Sequence, residues 1–203
     1  MVMNAYVEDQ WTRDRNGFTI RRCYEWLRHR ATSQSWAPAL WNSWNVPKHS
    51  LITWISMNNG LNIRAKLYSY GYCQEQMCCI CENSVETQEH LFFQCDYSKR
   101  VLQEIKQWSG FHVYVTMAEI GVTGKNVKGL KQRVHCLIWS SCHYHIWFER
   151  NNARLNAVLF SPTKLDDRII VETKARIRSK IGSSISNQER SWLRKWIYMV
   201  PKM

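Results

Sequence analysis

Glycine and proline are scarce in this chain, 8 and 4 of 203 residues. That scarcity argues against a turn-dense sandwich of many short strands and for helices joined by short connections. Nowhere do about eighteen uncharged apolar residues run together, so no membrane-spanning segment is expected. The opening MVMNAYVEDQW has no basic stretch leading into an apolar one, and Glu8, Asp9 and Asp14 come early. Neither a secretory signal nor an organelle transit peptide is expected from it. Acidic side chains are also few, 16 against 28 basic, which leaves a net charge of +12.

Catalytic signatures are missing as well. Asp166 and Asp167 follow a Pro-led helix start, without the aromatic-x-Asp-Asp hairpin on which a polymerase holds two metal ions. There is no phosphate-cradling Walker loop, no nucleophile elbow and no spaced carboxylate set for ribonuclease H chemistry. The chain is expected not to be an enzyme, and it offers no catalytic residue to nominate.

What is present is a globular composition, 45% hydrophobic and 13% aromatic with 11 Trp, long enough for one domain with a core or two small ones. Charge is distributed unevenly. Residues 1–100 carry 11 basic and 9 acidic side chains, whereas residues 101–203 carry 17 and 7. A positive footprint concentrated in one half suits a polyanion docking there. The plainer alternative is a solubilising surface.

Eight cysteines without an expected secretory signal read as thiols or metal ligands instead of a disulfide framework. Four of them share the window CCICENSVETQEHLFFQC, residues 78–95, with one histidine. Cys78 and Cys81 have the C-x2-C spacing that lets two thiolates reach one ion from a tight turn, whereas Cys79 and Cys81 diverge. His90 and Cys95 supply the second pair, completing C-x2-C-x8-H-x4-C. Thr87 is placed to cap a short helix carrying Glu89, His90, Leu91 and Phe92. On an α-helix, positions 90 and 95 lie about 140° apart in azimuth, so Cys95 is expected just past the helix end, bending back to the metal. Three thiolates and one imidazole fill a tetrahedron, so the expected cofactor is one structural Zn2+ with no open position for a hydrolytic water. Glu86 and Glu89 read as charges suited to that helix's N-terminus. Cys73 and Cys79 are surplus, and Cys23, Cys136 and Cys142 read as small core residues.

The same window resembles the zinc-binding domain found downstream of the reverse transcriptase in plant LINE-type, non-LTR retrotransposons. The positions that carry the likeness are Cys78, Cys81, Glu86, Thr87, His90, Leu91, Phe92, Phe93 and Cys95. WNVPKHSLITWISMNNGLNIRAKLYSYGY, with Trp44, Pro47, Lys48, His49, Trp54, Leu61, Leu67 and Gly71, is similar to a segment upstream in that family. GFTIRRCYEWLR, with Gly17, Phe18, Tyr24 and Leu27, resembles its start, and IWFERNNARLN resembles a Trp-x-x-Arg-Asn helix downstream. The likeness spans about residues 6 to 157. The chain departs from the pattern at Cys79, where Pro usually follows the first metal cysteine, at Asn62-Ile63-Arg64, and at Leu102, where a Trp is usual. The resemblance implies a zinc-binding module beside a polymerase that lies outside it, and a nuclear location.

The fold expected is mainly α: an irregular helical domain with a small CCHC zinc-binding loop-helix. Residues 6–110 are read as the zinc-binding helical domain, 111–127 as a connector marked by Gly121 and Gly124, and 128–203 as a basic helical region. Residues 16–31 alternate briefly at Phe18 and Ile20 and then turn helical. Pro47 suits a helix start, and from 48 to 69 one or two amphipathic helices are expected, with Leu51, Trp54, Ile55, Asn58, Leu61, Ala65 and Tyr68 repeating at three and four. A further helix is expected near 98–108. The stretch 134–148 is apolar nearly all round and predicts a central, buried helix. Two more helices are expected, after Ser161-Pro162 and from near Asn187, the last with Trp192 and Trp196 on one face.

Candidate phosphate contacts in the basic half are Lys128, Lys131, Arg133, Arg150, Arg154, Lys174, Arg176, Arg178 and Lys180, fanned over helical faces. Trp36, Trp41 and Trp44 suit either base stacking or core packing. His135, Cys142 and His145 suggest a second metal site, but core packing is the favoured reading. Two functions remain open at this level. One is a nucleic-acid-binding module for RNA or DNA, without polymerase activity of its own. The other is a scaffold subunit in a larger protein or ribonucleoprotein complex, docking through Trp192, Trp196 and Met199.

Overall fold

Proline opens three helices of this fold, each within the first turn, where its missing N–H has no intrahelical acceptor to lose. The computed structural model of the chain describes residues 34–112, 116, 119, 129–181 and 185–199, which belong to one compact unit spanning 34–203. The expected features at Gly17, Phe18, Ile20, Cys23, Tyr24, Leu27, Gly121, Gly124 and Lys128 lie outside the described residues, as does the side chain of Met199.

Among the described residues the chain is mainly helical. α1 is Ala37–Leu40, α2 Pro47–Met57, α3 Arg64–Ser69, α4 Asp96–Ser109, α5 Leu130–Asn156, α6 Pro162–Lys180 and α7 Asn187–Met199. A single π turn, His90–Gln94, stands directly before α4. None of the described helices is long and apolar enough to cross a membrane.

α5 is the axis. Its 27 residues bury Val134, Leu137, Ile138, Trp139, Cys142 and Ile146, and α1, α2, α4, α6 and the π turn all pack on it. α6 returns antiparallel to it, since His145 meets Glu172 and Glu149 meets Arg168. Residues on both sides of the 111–127 connector share one core, from Trp36 through Phe92 and Val101 to Ile169 and Ile197. His143 lies inside it, stacked on Phe92 at 4.2 Å, and burial pushes its pKa down to about 3.

Two expectations are corrected by the packing. α2 turns its small polar side inward, burying His49, Ser50, Thr53 and Ser56, while Leu51 and Trp54 of the expected apolar stripe are exposed. The reason is close approach to α1: Ser50 Oγ donates to the Leu40 carbonyl at 2.7 Å, while Thr53 Oγ1 turns back to the His49 carbonyl of its own helix at 2.9 Å. The face of α7 expected to dock a partner is used within the chain. Trp192 and Trp196 are partly buried against the core, and Trp196 Nε1 donates to the Ser109 carbonyl at 3.0 Å.

A third correction concerns charge. Arg150, expected to reach phosphate, is fully buried with Glu86, also fully buried. Its Nε donates to Glu86 Oε1 at 3.0 Å, its Nη2 to the same oxygen and to the Asn62 carbonyl, and its Nη1 to Asn151 Oδ1. Glu86 also accepts from the Arg64 amide at 2.8 Å, so it caps α3 and not the metal-loop helix. Burial raises the carboxyl pKa, but the Arg150 guanidinium and these donors leave it below the usual value.

Arg150→Met leaves a buried carboxylate without its cation, and is expected to lower unfolding free energy by about 3–5 kcal/mol in a denaturant titration. The double substitution E86Q/R150M restores part of that loss; an Arg150→Met chain as stable as the parent contradicts the pairing. Ala157, which ends α5 at φ +52, sits where a left-handed backbone strains any Cβ. Ala157→Gly is expected to raise stability by roughly 1 kcal/mol in the same assay.

Candidate metal centre

The loop before the π turn is built as a knuckle. An isolated antiparallel bridge joins Met77 to Val85, with the Glu86 amide donating to Gln76 O and the Cys78 amide to Ser84 O, both at 2.8 Å. The chain reverses between them. The Glu82 amide donates back to the Cys78 carbonyl at 2.8 Å, and Glu82 takes a left-handed φ of +56. This reversal brings Cys78 and Cys81 to one side.

The second half begins where the sequence placed a cap: Thr87 Oγ1 accepts from the His90 amide at 2.9 Å. The capped segment opens with an α turn, the Leu91 amide donating to the Thr87 carbonyl at 2.9 Å, and continues as a π turn. The Cys95 amide donates to the His90 carbonyl at 2.7 Å, closing an i→i+5 ring. His90 and Cys95 therefore lie one turn apart, which brings together two positions that an α-helix would separate. Phe92 and Phe93 anchor the turn in the core, and Ser98 Oγ donates to the Leu91 carbonyl at 2.6 Å.

One donor atom from each of Cys78, Cys81, His90 and Cys95 lies within 4.8 Å of every other. A tetrahedral ion of zinc's size needs about 3.8 Å between sulfurs and about 3.5 Å from sulfur to nitrogen. Cys81 Sγ stands 3.3 Å from His90 Nε2. Cys78, Cys95 and His90 are buried and Cys81 partly so. The hydrogen bond from the Cys95 thiol, with the backbone amides of Cys81 and Ile80, holds the Cys78 thiol below its usual pKa despite burial. The hydrogen bond with Cys78, together with burial, pushes the Cys95 thiol up. The cluster can hold a metal ion, and the donor set suits a borderline-soft one.

The surplus cysteines face elsewhere. Cys79 turns away from the cluster and donates to Glu86 Oε2 at 3.2 Å; burial and that carboxylate raise its pKa to about 12. Cys73 donates to the Glu75 carbonyl at 3.1 Å.

The nucleic-acid candidates are dispersed. Lys131, Arg154 and Arg178 are exposed, and Arg133, Lys174 and Lys180 partly so. Because α5 and α6 run antiparallel, Lys131 and Arg133 point toward the end where Arg178 and Lys180 lie. Arg154 stands at the opposite end. Lys131 sits over the Trp192 ring and Lys174 over Trp108. Arg176 is committed to the fold, donating to the carbonyls of Ser43, Trp44 and Asn45. Trp36 and Trp44 are buried, whereas Trp41 is exposed. His135 joins neither Cys142 nor His145: its Nε2 meets the His112 carbonyl and its ring stacks on Phe111. His145 instead meets His49 and Glu172, a grouping drawn from three helices that no short sequence spacing signals.

Substituting Cys78, Cys81 or Cys95 by Ser is expected to cost the purified chain one equivalent of metal, the ion of this cluster, whereas Cys79→Ser leaves it in place. Elemental analysis of the four variants decides it, and a Cys79→Ser chain that loses its metal overturns the ligand assignment.

A family model described as zinc-binding in reverse transcriptase matches residues 18–101, a stretch that contains the whole cluster. No curated protein and no solved structure matches the chain.

Proposed function

We propose that this chain is a zinc-stabilised nucleic-acid-binding module, similar to the region downstream of a retrotransposon reverse transcriptase and without polymerase chemistry of its own. The observation that carries the reading is the closed set of Cys78, Cys81, His90 and Cys95 inside a stretch similar to a reverse-transcriptase zinc-binding family. With three thiolates and an imidazole the ion has no free position, so its role is to hold the knuckle against the π turn. Removing it would loosen residues 73–85, because that loop has little apolar surface of its own to bury, whereas Leu91, Phe92 and Phe93 keep the π turn in the core.

Binding falls to the basic half. Exposed Lys131, Arg154 and Arg178 and half-buried Arg133, Lys174 and Lys180 supply the cations, and contacts to phosphate carry little sequence preference. Arg150 and Arg176 do not belong to this surface. The reading goes with a polyanionic template and a nuclear location.

Binding of the full chain to single-stranded RNA is expected to weaken steeply with salt, log K falling by about 0.7 per neutralised phosphate for each unit of log salt. Lys131→Gln with Arg178→Gln should make that slope shallower by roughly 1.4 without changing the metal content. Fluorescence titrations over a range of salt concentrations measure both. No binding at low salt, or binding indifferent to salt, refutes the reading and favours a protein-binding scaffold.

A further inference from the structure

Where α2, α5 and α6 meet, three side chains converge on one point. They are His49, His145 and Glu172, each offering a donor atom within 4.8 Å of the other two. None belongs to the cysteine cluster. His145 Nε2 lies 2.7 Å from Glu172 Oε2, and His49 Nε2 lies 3.4 Å from Glu172 Oε1. The His49 ring is stacked on Tyr144 at 4.4 Å and meets His145 edge-on at 5.5 Å. It is therefore held between two aromatic neighbours and aimed at the carboxylate.

The unusual feature is what His49 lacks. Its side chain is fully buried, yet neither Nδ1 nor Nε2 has a hydrogen-bond partner, and His145 Nδ1 has none either. A buried polar atom without a partner costs on the order of 1–3 kcal/mol, and native structures rarely carry several side by side. Apolar packing does not require a histidine there. A cation held among the three side chains takes one His49 lone pair as a ligand and gives that nitrogen a partner. Two imidazoles and a carboxylate form the three-ligand set that divalent transition ions take with a water in the remaining position.

One group opposes it. Lys48 Nζ stands 3.3 Å from Glu172 Oε1 and supplies the charge the carboxylate needs. That side chain is 53% exposed, and its long stem lets the ammonium move into solvent. Arg176 does not compete, since its guanidinium is occupied by the Ser43–Asn45 carbonyls.

We propose that His49, His145 and Glu172 form a second metal site, taking a divalent transition ion in a 2-His-1-carboxylate arrangement that joins α2, α5 and α6. The site is independent of the cysteine cluster, and its ligands contain no sulfur. The two sites therefore differ in spectroscopy as well as in position.

The test uses the full chain loaded with Zn2+ or Co2+ and freed of excess metal. Elemental analysis is expected to give a second ion per chain, lost in Glu172→Gln and in His145→Gln while helical circular dichroism is kept. With Co2+, the cysteine cluster gives near-ultraviolet thiolate-to-metal bands. The second ion adds visible absorbance only, and Glu172→Gln removes that increment and leaves the thiolate bands. Lys48→Met lifts the competing charge and should tighten the second ion by roughly tenfold, a change that a merely structural role for Glu172 would not produce. A single ion per parent chain after this loading overturns the proposal. So does a second ion retained in both Glu172→Gln and His145→Gln.

Discussion

Two opposite charges, Glu86 and Arg150, are both fully buried though 64 residues apart in the chain, and the arrangement of the metal loop rests on them. Leaving either charge alone in the interior would cost several kcal/mol, so the pair must be complete or absent. It is complete. Glu86 Oε1 takes the Arg150 fork and the Arg64 amide, while Oε2 takes the amide and thiol of Cys79. The guanidinium spends its other N–H groups on Asn62 and Asn151 and lies 4.8 Å from the centre of the Trp147 ring. Such a pair adds less to stability than its Coulomb energy suggests, because desolvation offsets most of it. Its effect is to admit one arrangement of α3, the knuckle and α5 and to penalise the others.

The pair and the metal cluster act from opposite sides of one short turn. Apart from buried Cys78 and half-buried Cys73, Cys79, Ile80 and Cys81, the segment from Cys73 to Val85 is exposed, so hydrophobic burial holds it only weakly. A metal in the cysteine cluster would tie it to the π turn from one side, and Glu86 ties it to α5 from the other. Adjacent cysteines consequently differ in chemistry. Cys78 faces the other sulfurs, where donated hydrogen bonds favour its thiolate, whereas Cys79 faces a carboxylate that keeps it a protonated thiol. The spacing rule that set Cys79 aside is thus matched by a contact that uses it.

Much of this was legible in the sequence, and the limits have physical causes. Local signals held: Thr87 caps the turn, Pro47 and Ser161-Pro162 open helices, and the apolar run 134–148 is the buried axis. What failed depended on long-range partners. An arginine in a basic half reads as a phosphate contact until its carboxylate, 64 positions earlier, is known. A stripe of Leu51 and Trp54 reads as the inner face of α2, but close helix approach favoured Ser50 and Thr53, small residues whose hydroxyls return to nearby carbonyls. The π turn could not be foreseen either. Its i→i+5 bond arises because His90 and Cys95 must share one side, a constraint set by the cluster and not by propensity.

The central helix shows why these polar exceptions matter. A helix that is apolar on nearly every side carries little information about its own rotation, since many settings would bury similar area. α5 avoids that ambiguity through polar residues with distant partners. Glu149 accepts from the Phe160 amide at 3.3 Å and from Arg168, and Arg150 turns the other way to Glu86 and Asn62. A rotation by one residue, about 100°, would strand both charges at once. The same residues fix which way Lys131, Arg133 and Arg154 face, so the basic surface inherits its orientation from the buried pair. The cations left outside are those the interior did not recruit, which is why charge counting alone could not separate Arg150 from Arg154.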